Sequence, residues 1–373
     1  MPSSSAQMDN SGGPAQVIAE LTCTHGSLSR VYVGSVDGSV RAFAANNAAS
    51  ESAREHSELP LTHALWGARV TAGAITSVCA IEEQLKRSDR VLVLCGSSTG
   101  ELVVLRNELE TQRFQLEGAV QHICYYGDGE FVVGDLLGNL YGVTQYEIIW
   151  KTQLPMIAPQ GGFATECFYP GAVRPVVKAI THAKLLDVEK TLSNYVLVAT
   201  GQKHLLVTHR GKDFGTIPTR TPIGTLASFS IVGAKSNDED VVLAAGEEGV
   251  IYRLVSYRDV APKEMPDFRF TMEKWTQVPF PIAKLLPVKM PERPTGGIKS
   301  DDFTWICLGV DSEVVLFRGQ ERVKQWNFAS SGTDLDFPVD LALVEADGDA
   351  KQQFGAIAFP DRIRIFPINS GSL

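Results

Sequence analysis

The sequence predicts an all-β protein folded as a single seven-bladed β-propeller of three- to four-stranded antiparallel blades. Three observations carry this. A short apolar run, a Gly, a few turn residues and a second apolar run recur along the 373 residues. The copies are VYVGSVDGSVRAF (Val31 to Phe43), LVLCGSSTGELVVL (Leu92 to Leu105), FVVGDLLGNLYGV (Phe131 to Val143), LVATGQKHLLV (Leu197 to Val207), LAAGEEGVIYRL (Leu243 to Leu254) and ICLGVDSEVVLF (Ile306 to Phe317). A degenerate seventh is AIAFPDRIRIF (Ala356 to Phe366). Each reads as a hairpin, β-branched or aromatic residues flanking a tight turn. The third observation is spacing: a further apolar run precedes most copies, and three or four short strands repeating at roughly 50 residues is the pattern of a propeller.

Within each copy the first strand is almost continuously apolar, as expected when both faces are covered. The leading glycines (Gly34, Gly96, Gly134, Gly201, Gly246, Gly309) mark its end. Second strands such as Val40-Arg41-Ala42-Phe43 alternate more and are expected further out. The preceding runs are Ile75 to Ile81, Ala119 to Tyr125, Val176 to Ala183, Leu226 to Val232, Ile282 to Val288 and Val339 to Val344; a fourth run is clearest at Ile148 to Thr152. A solenoid would need capped ends, whereas a closed ring hides its sheet edges. Residues 1–16 read as a disordered lead and 17–368 as the ring, with blades near 17–70, 71–117, 118–160, 172–222, 223–275, 280–332 and 336–368. At the seam, Val17 to Cys23 fits best as the inner strand of the first blade. That leaves the last blade three-stranded or completed by a partner chain.

Composition narrows the function classes. A net charge of −9 argues against a nucleic-acid-binding surface, and no run reaches the roughly 18 apolar residues of a membrane span. The first residues lack the basic-then-apolar order of a secretory signal. Six cysteines (Cys23, Cys79, Cys95, Cys124, Cys167, Cys307) form no Cys-x-x-Cys pair and read as buried small hydrophobes of a reducing compartment, the cytoplasm. No Asn-x-Ser/Thr acceptor occurs, in keeping with that location.

The seven histidines show no zinc spacing, and there is no phosphate-binding loop or dinucleotide fingerprint. No cofactor and no metal is therefore expected. Two acidic loops, Glu345 to Asp349 and Asn237 to Asp240, carry alternating carboxylates but lack the full run of a Ca²⁺ loop, and read as solvated turns. Two features are candidate partner contacts. One is the cationic cluster Lys203, His204, Arg210 and Lys212; the other is the Pro-rich loop with Pro291, Arg293 and Pro294. Long loops on a rigid ring are where partner contacts concentrate, and the stretches Ala44 to Gly73 and Arg258 to Phe303 are the longest insertions.

Phe131 to Leu154 resembles the repeat of pyrroloquinoline-quinone-type propellers, through Gly134-Asp135-x-x-Gly138-Asn139-Leu140-Tyr141 and the closing Trp150-Lys151. VYVGSVDGSVRAF is similar to the same unit. The resemblance implies a WD40-like or quinoprotein-like repeat; its enzymes hold a quinone cofactor and Ca²⁺ in the central funnel. That activity is not carried over, because most copies lack the family's docking Trp. The stretch from Asn237 to Gly249 resembles degenerate FG-GAP repeats. Intracellular propellers of this mixed character include the Bardet-Biedl ciliary coat subunits and kaptin and ITFG-type scaffold proteins. This likeness implies a subunit of a larger assembly, with cytoskeletal or ciliary association.

Three functions follow as expectations. The first is a non-catalytic platform for other proteins. The second is an enzyme or small-molecule binder in the central channel, favoured if His, Asp and Arg converge there and opposed if Val, Ala and Gly line it. The third is a ring that needs another chain to close its seam.

Overall fold

The computed structural model describes residues 20–27, 29–44, 57–59, 61–85, 88–157, 174–186, 191–230, 239–256, 270–288, 303–329, 337–345 and 353–368. Seven antiparallel four-stranded sheets make up the fold. Blade one consists of Leu21–Gly26, Arg30–Ser35, Ser39–Ala44 and Trp66–Arg69. Blade two is Ile75–Leu85, Ser88–Ser97, Glu101–Arg106 and Leu109–Gln115, and blade three Val120–Gly127, Glu130–Asp135, Asn139–Val143 and Ile148–Gln153. Blade four is Ala179–Leu186, Leu192–Ala199, His204–His209 and Lys212–Pro218, and blade five Thr225–Phe229, Val241–Ala245, Val250–Ser256 and Phe270–Gln277. Blade six is Ile282–Val288, Thr304–Gly309, Glu313–Arg318 and Glu321–Asn327. The first strand of each blade touches the first strands of its two neighbours, and that of blade seven (Asp340–Glu345) meets that of blade one, so the seven surround a central channel.

The core is divided into seven apolar layers, one between each pair of adjoining blades. Strand alternation explains why. Val31 and Val33 enter the layer shared with blade seven, where they meet Phe354, while Tyr32 between them enters the layer shared with blade two. Second strands are therefore buried on both faces, as their continuous apolar runs predict. Third strands sit one place further out yet remain buried, as in Glu101–Arg106; the fourth, such as Leu109–Gln115, alternate into solvent. The turn between second and third strands needs Gly where the chain turns left-handed. Gly38 has φ +80°, and a Cβ there would lie 2.2 Å from the Thr71 carbonyl oxygen.

The seam closes within the chain. Leu21–Gly26 is the first strand of blade one, as its short link to Val31 suggests. Blade seven adds Gln353–Ala358 and Ile363–Pro367 to its first strand, and its fourth is Ser57–Leu59, drawn from the insertion after the first hairpin. The expectation of a three-stranded last blade, or of a partner completing it, is corrected by this pairing. Leu59 pairs with Ile363, Glu58 with Arg364 and Ser57 with Ile365. Leu59 is buried in the layer between blades seven and one, and Arg364 Nε donates to Glu58 Oε1 at 3.2 Å.

Candidate functional site

One register position on the first strands organises the channel. It is occupied by Cys23, Ser77, His122, Ala179, Thr225, Lys284 and Asp340, each paired with the second strand near its end at the turn. Four of these side chains accept from the backbone N–H one residue further along the next blade. Ser77 Oγ accepts from Ile123 at 3.1 Å, His122 Nδ1 from Ile180 at 3.4 Å, Thr225 Oγ1 from Leu285 at 3.3 Å, and Asp340 Oδ2 from Thr24 at 2.9 Å. The remaining junctions use neighbouring positions. Lys284 Nζ donates to Asp340 Oδ1 at 2.7 Å, His25 Nδ1 accepts from the Ala80 N–H at 3.2 Å, and Thr181 Oγ1 bonds Ser228 Oγ at 2.7 Å. All seven blade junctions are thus bridged by side-chain hydrogen bonds around the channel.

The channel groups also feel one another's charge. Desolvation first, then the Lys284 ammonium of blade six, push the His25 imidazole down to about 4 and His122 down to about 3, with Asp340 of blade seven opposing. Both rings are neutral near pH 7, and with Nδ1 accepting, each carries its proton on Nε2. The folded state resists protons that the unfolded chain takes up below about 6.5. Stability is therefore expected to be full above that pH and to fall as pH drops toward 4 and then 3. At about 1.4 kcal/mol per unit the loss by pH 4 is several kcal/mol. Denaturant midpoints measured from pH 7 to 4 test this. The double variant His25→Gln and His122→Gln, whose amides still accept the backbone N–H, should flatten most of the slope. His182 and His204, also lowered by burial, retain the remainder. An unchanged slope in the double variant would assign the effect elsewhere.

The motif that resembles quinoprotein repeats is a turn clasp. Asp135 is fully buried, and Oδ1 accepts from the backbone of Leu137 (2.9 Å) and Asn139 (2.8 Å). Its Oδ2 accepts from Gly118 N (3.1 Å), Asn139 Nδ2 (2.8 Å) and the Tyr141 hydroxyl (3.1 Å). Asp37 and Ser97 serve the equivalent turns of blades one and two with fewer bonds. Trp150 lies against Gly142, where a Cβ would come within 2.0 Å of its Nε1, and that N–H donates to Glu130 at 3.1 Å. Every one of these contacts holds the hairpin, and none leaves a group directed at a ligand.

The cationic cluster is split by the fold. Lys203 lies at the turn end of His204–His209, on the face bearing the second-to-third-strand turns; Arg210 and Lys212 lie at the other end, roughly 20 Å away at about 3.3 Å per residue. Arg210 pairs with Glu130 of blade three at 3.4 Å and lies over the Tyr126 ring, while His204 is buried beside Thr200 Oγ1 at 3.4 Å. Lys203 instead shares its face with Arg174, Lys178 and Arg220, all exposed. The stem of Arg174 lies across the turn glycine of blade three, 3.0 Å from a Cβ built on Gly138, and that of Lys178 lies across Gly201 of blade four at 3.5 Å. Among the described residues, none of these four cations is held in an ion pair or hydrogen bond. Pro291, Arg293 and Pro294 lie outside the described residues.

Solved structures share this ring. The Myceliophteria thermophila Cps50 (Swd1) β-propeller domain matches with a TM-score of 0.60 at 10% identity, covering 94% of this chain and 97% of that one. BBS1N, solved in complex with ARL6DN, matches with a TM-score of 0.57 at 12% identity, covering 96% of this chain and 95% of that one. In fold, the chain is a WD40-like β-propeller. No protein-family model matches the sequence, and no curated protein matches it either.

The remaining candidates for chemistry in the propeller have structural roles. Cys23, Cys79, Cys95, Cys124 and Cys307 are free thiols, and burial raises all five, Cys23, Cys124 and Cys307 to about 12, so none is a thiolate nucleophile near neutral pH. Cys167 lies outside the described residues. Of the acidic loop at 237–240, Asn237 and Asp238 lie outside the described residues, while Glu239 accepts the Leu186 N–H at 2.9 Å and Asp240 the Lys184 N–H at 2.7 Å, so these two carboxylates clasp blades four and five. Residues 346–349 of the other acidic loop lie outside the described residues. Among the described residues no group of three or more His, Cys, Asp or Glu is arranged to hold a metal, and no helix is long and apolar enough to cross a membrane.

Proposed function

We propose that this propeller is a non-catalytic platform for protein–protein interaction, a subunit of a larger assembly in the cytoplasm. The observation that carries the reading is the employment of the channel groups. Ser77, His122, Thr225, Lys284 and Asp340 converge there, yet each is engaged blade to blade. Among the described residues, the unpartnered cations Arg174, Lys178, Lys203 and Arg220 lie together on the turn-bearing face, where a second protein can reach them. Buried, protonated thiols suit a reducing compartment, and the match to BBS1N, solved with ARL6DN bound, supports a fold of this kind serving as a docking body. Affinity purification of the tagged chain from its native cell, with mass spectrometry after a moderate salt wash, is expected to return a stoichiometric partner set. A clean monomer would overturn the platform.

The same convergence of His25, His122, Lys284 and Asp340 favours a second reading, a small ligand in the channel. A thermal-shift screen of metabolites and metal ions on the full chain tests it. A ligand-dependent rise that disappears in Lys284→Met would establish it, and no rise across the screen would sink it.

A further inference from the structure

We propose that the sector of the turn-bearing face formed by Arg174, Lys178, Lys203 and Arg220, with Leu136 and Leu137 beside it, docks an acidic segment of a partner protein. This deepens the platform reading and rests on it. The cations come from the links into blades four and five and from the turn of blade four, and the fold brings them to one side of one face. A protein of net charge −9 has carboxylates to spare, and elsewhere on the propeller they are used: Lys151 pairs with Glu117, Arg113 with Glu101 and Glu110, Arg364 with Glu58. In this sector the four cations are without such partners among the described residues. These side chains leave a positive patch on a protein of net negative charge, and an anionic partner supplies the counter-charge that they lack.

The apolar neighbours narrow the class of partner. Leu136 and Leu137, 48% and 50% exposed, project from the turn of blade three against which the stem of Arg174 lies. A peptide with carboxylates flanking an apolar side chain satisfies both halves of the patch, whereas a phosphate backbone gains nothing from two leucines. The net negative charge also repels a long polyanion approaching from solution. The stems of Arg174 and Lys178, resting on turn backbone, are partly ordered before binding, which lowers the entropy lost on capture.

The test uses the full chain purified with its co-purifying proteins and treated with a water-soluble carbodiimide, which joins a Lys amine to a carboxylate in direct contact with it. Lys178 and Lys203 are expected to be joined to Asp or Glu of a partner. The double variant Lys178→Glu and Lys203→Glu should weaken that partner's binding at least tenfold, with wild-type affinity falling steeply from 50 to 300 mM salt. Lys274→Glu, on the fourth strand of blade five, should leave it unchanged. Partners that stay bound to the double variant, with carbodiimide links arising only elsewhere, would overturn the sector while leaving the platform standing. Tighter capture by the wild-type sector of a 20-nucleotide single strand, or of phosphatidylserine vesicles, than of a 12-residue Glu- and Leu-rich peptide would overturn the acidic-protein assignment. Absence of any partner would remove the platform itself.

Discussion

Replacing Asp340 with Ala is expected to destabilise the propeller by about 3 kcal/mol, because one carboxylate ties three blades. Its Oδ2 accepts from Thr24 of blade one, and its Oδ1 from Lys284 of blade six and from its own neighbour Leu341. Removing it leaves the Lys284 ammonium without its counter-charge in a partly enclosed channel and the Thr24 N–H without an acceptor. Urea unfolding reads the effect as a lower midpoint at unchanged slope. Asp340→Asn separates the two parts: the amide oxygen still accepts from Thr24 but carries no charge, so roughly half the loss is expected. Equal losses in the two variants would mean that the charge carries the whole effect; an unperturbed Asp340→Ala would mean that the collar does not hold the ring.

Leu59→Asp is expected to open the ring at a single place. Leu59 is 4% exposed and belongs to the apolar layer shared by blades seven and one, so a carboxylate there costs about 3 kcal/mol or more and unseats the three-residue strand. Hydrogen exchange locates the damage. Amides of Ile363–Pro367, which pairs with Ser57–Leu59, should lose protection, while those of Leu192–Ala199 in blade four keep theirs. Uniform loss across all blades would show that the ring fails only as a whole.

What the sequence disclosed follows from how each element is encoded. Apolar runs beside a turn glycine need only local residues, so every second and third strand, and the number of blades, can be read directly. The channel collar is a different case. One geometric role is filled by Ser77, His122, Thr225 and Asp340, and the atom each holds is a backbone N–H of another blade, which leaves no trace in residue type. Ser57–Leu59 is too short to show a period, and only its pairing with Ile363–Pro367 makes it a strand. The cation sector was half visible. Lys203 stood out beside His204 and Arg210, but strand direction carries Arg210 away to Glu130 and puts Arg174, Lys178 and Arg220 in its place.

The pairing of Glu58 with Arg364 spans 306 positions, and this sets the order in which the molecule can be made. At about 5–20 residues per second of synthesis, Ser57–Leu59 leaves the ribosome on the order of tens of seconds before the strand it must pair with. Throughout that interval the apolar layer of blade one that faces blade seven has nothing to cover it. Once six blades are made the nascent chain is an arc with open flanks on blades one and six, and faster local folding cannot shorten the wait, since the pairing needs Ile363–Pro367 to be synthesised.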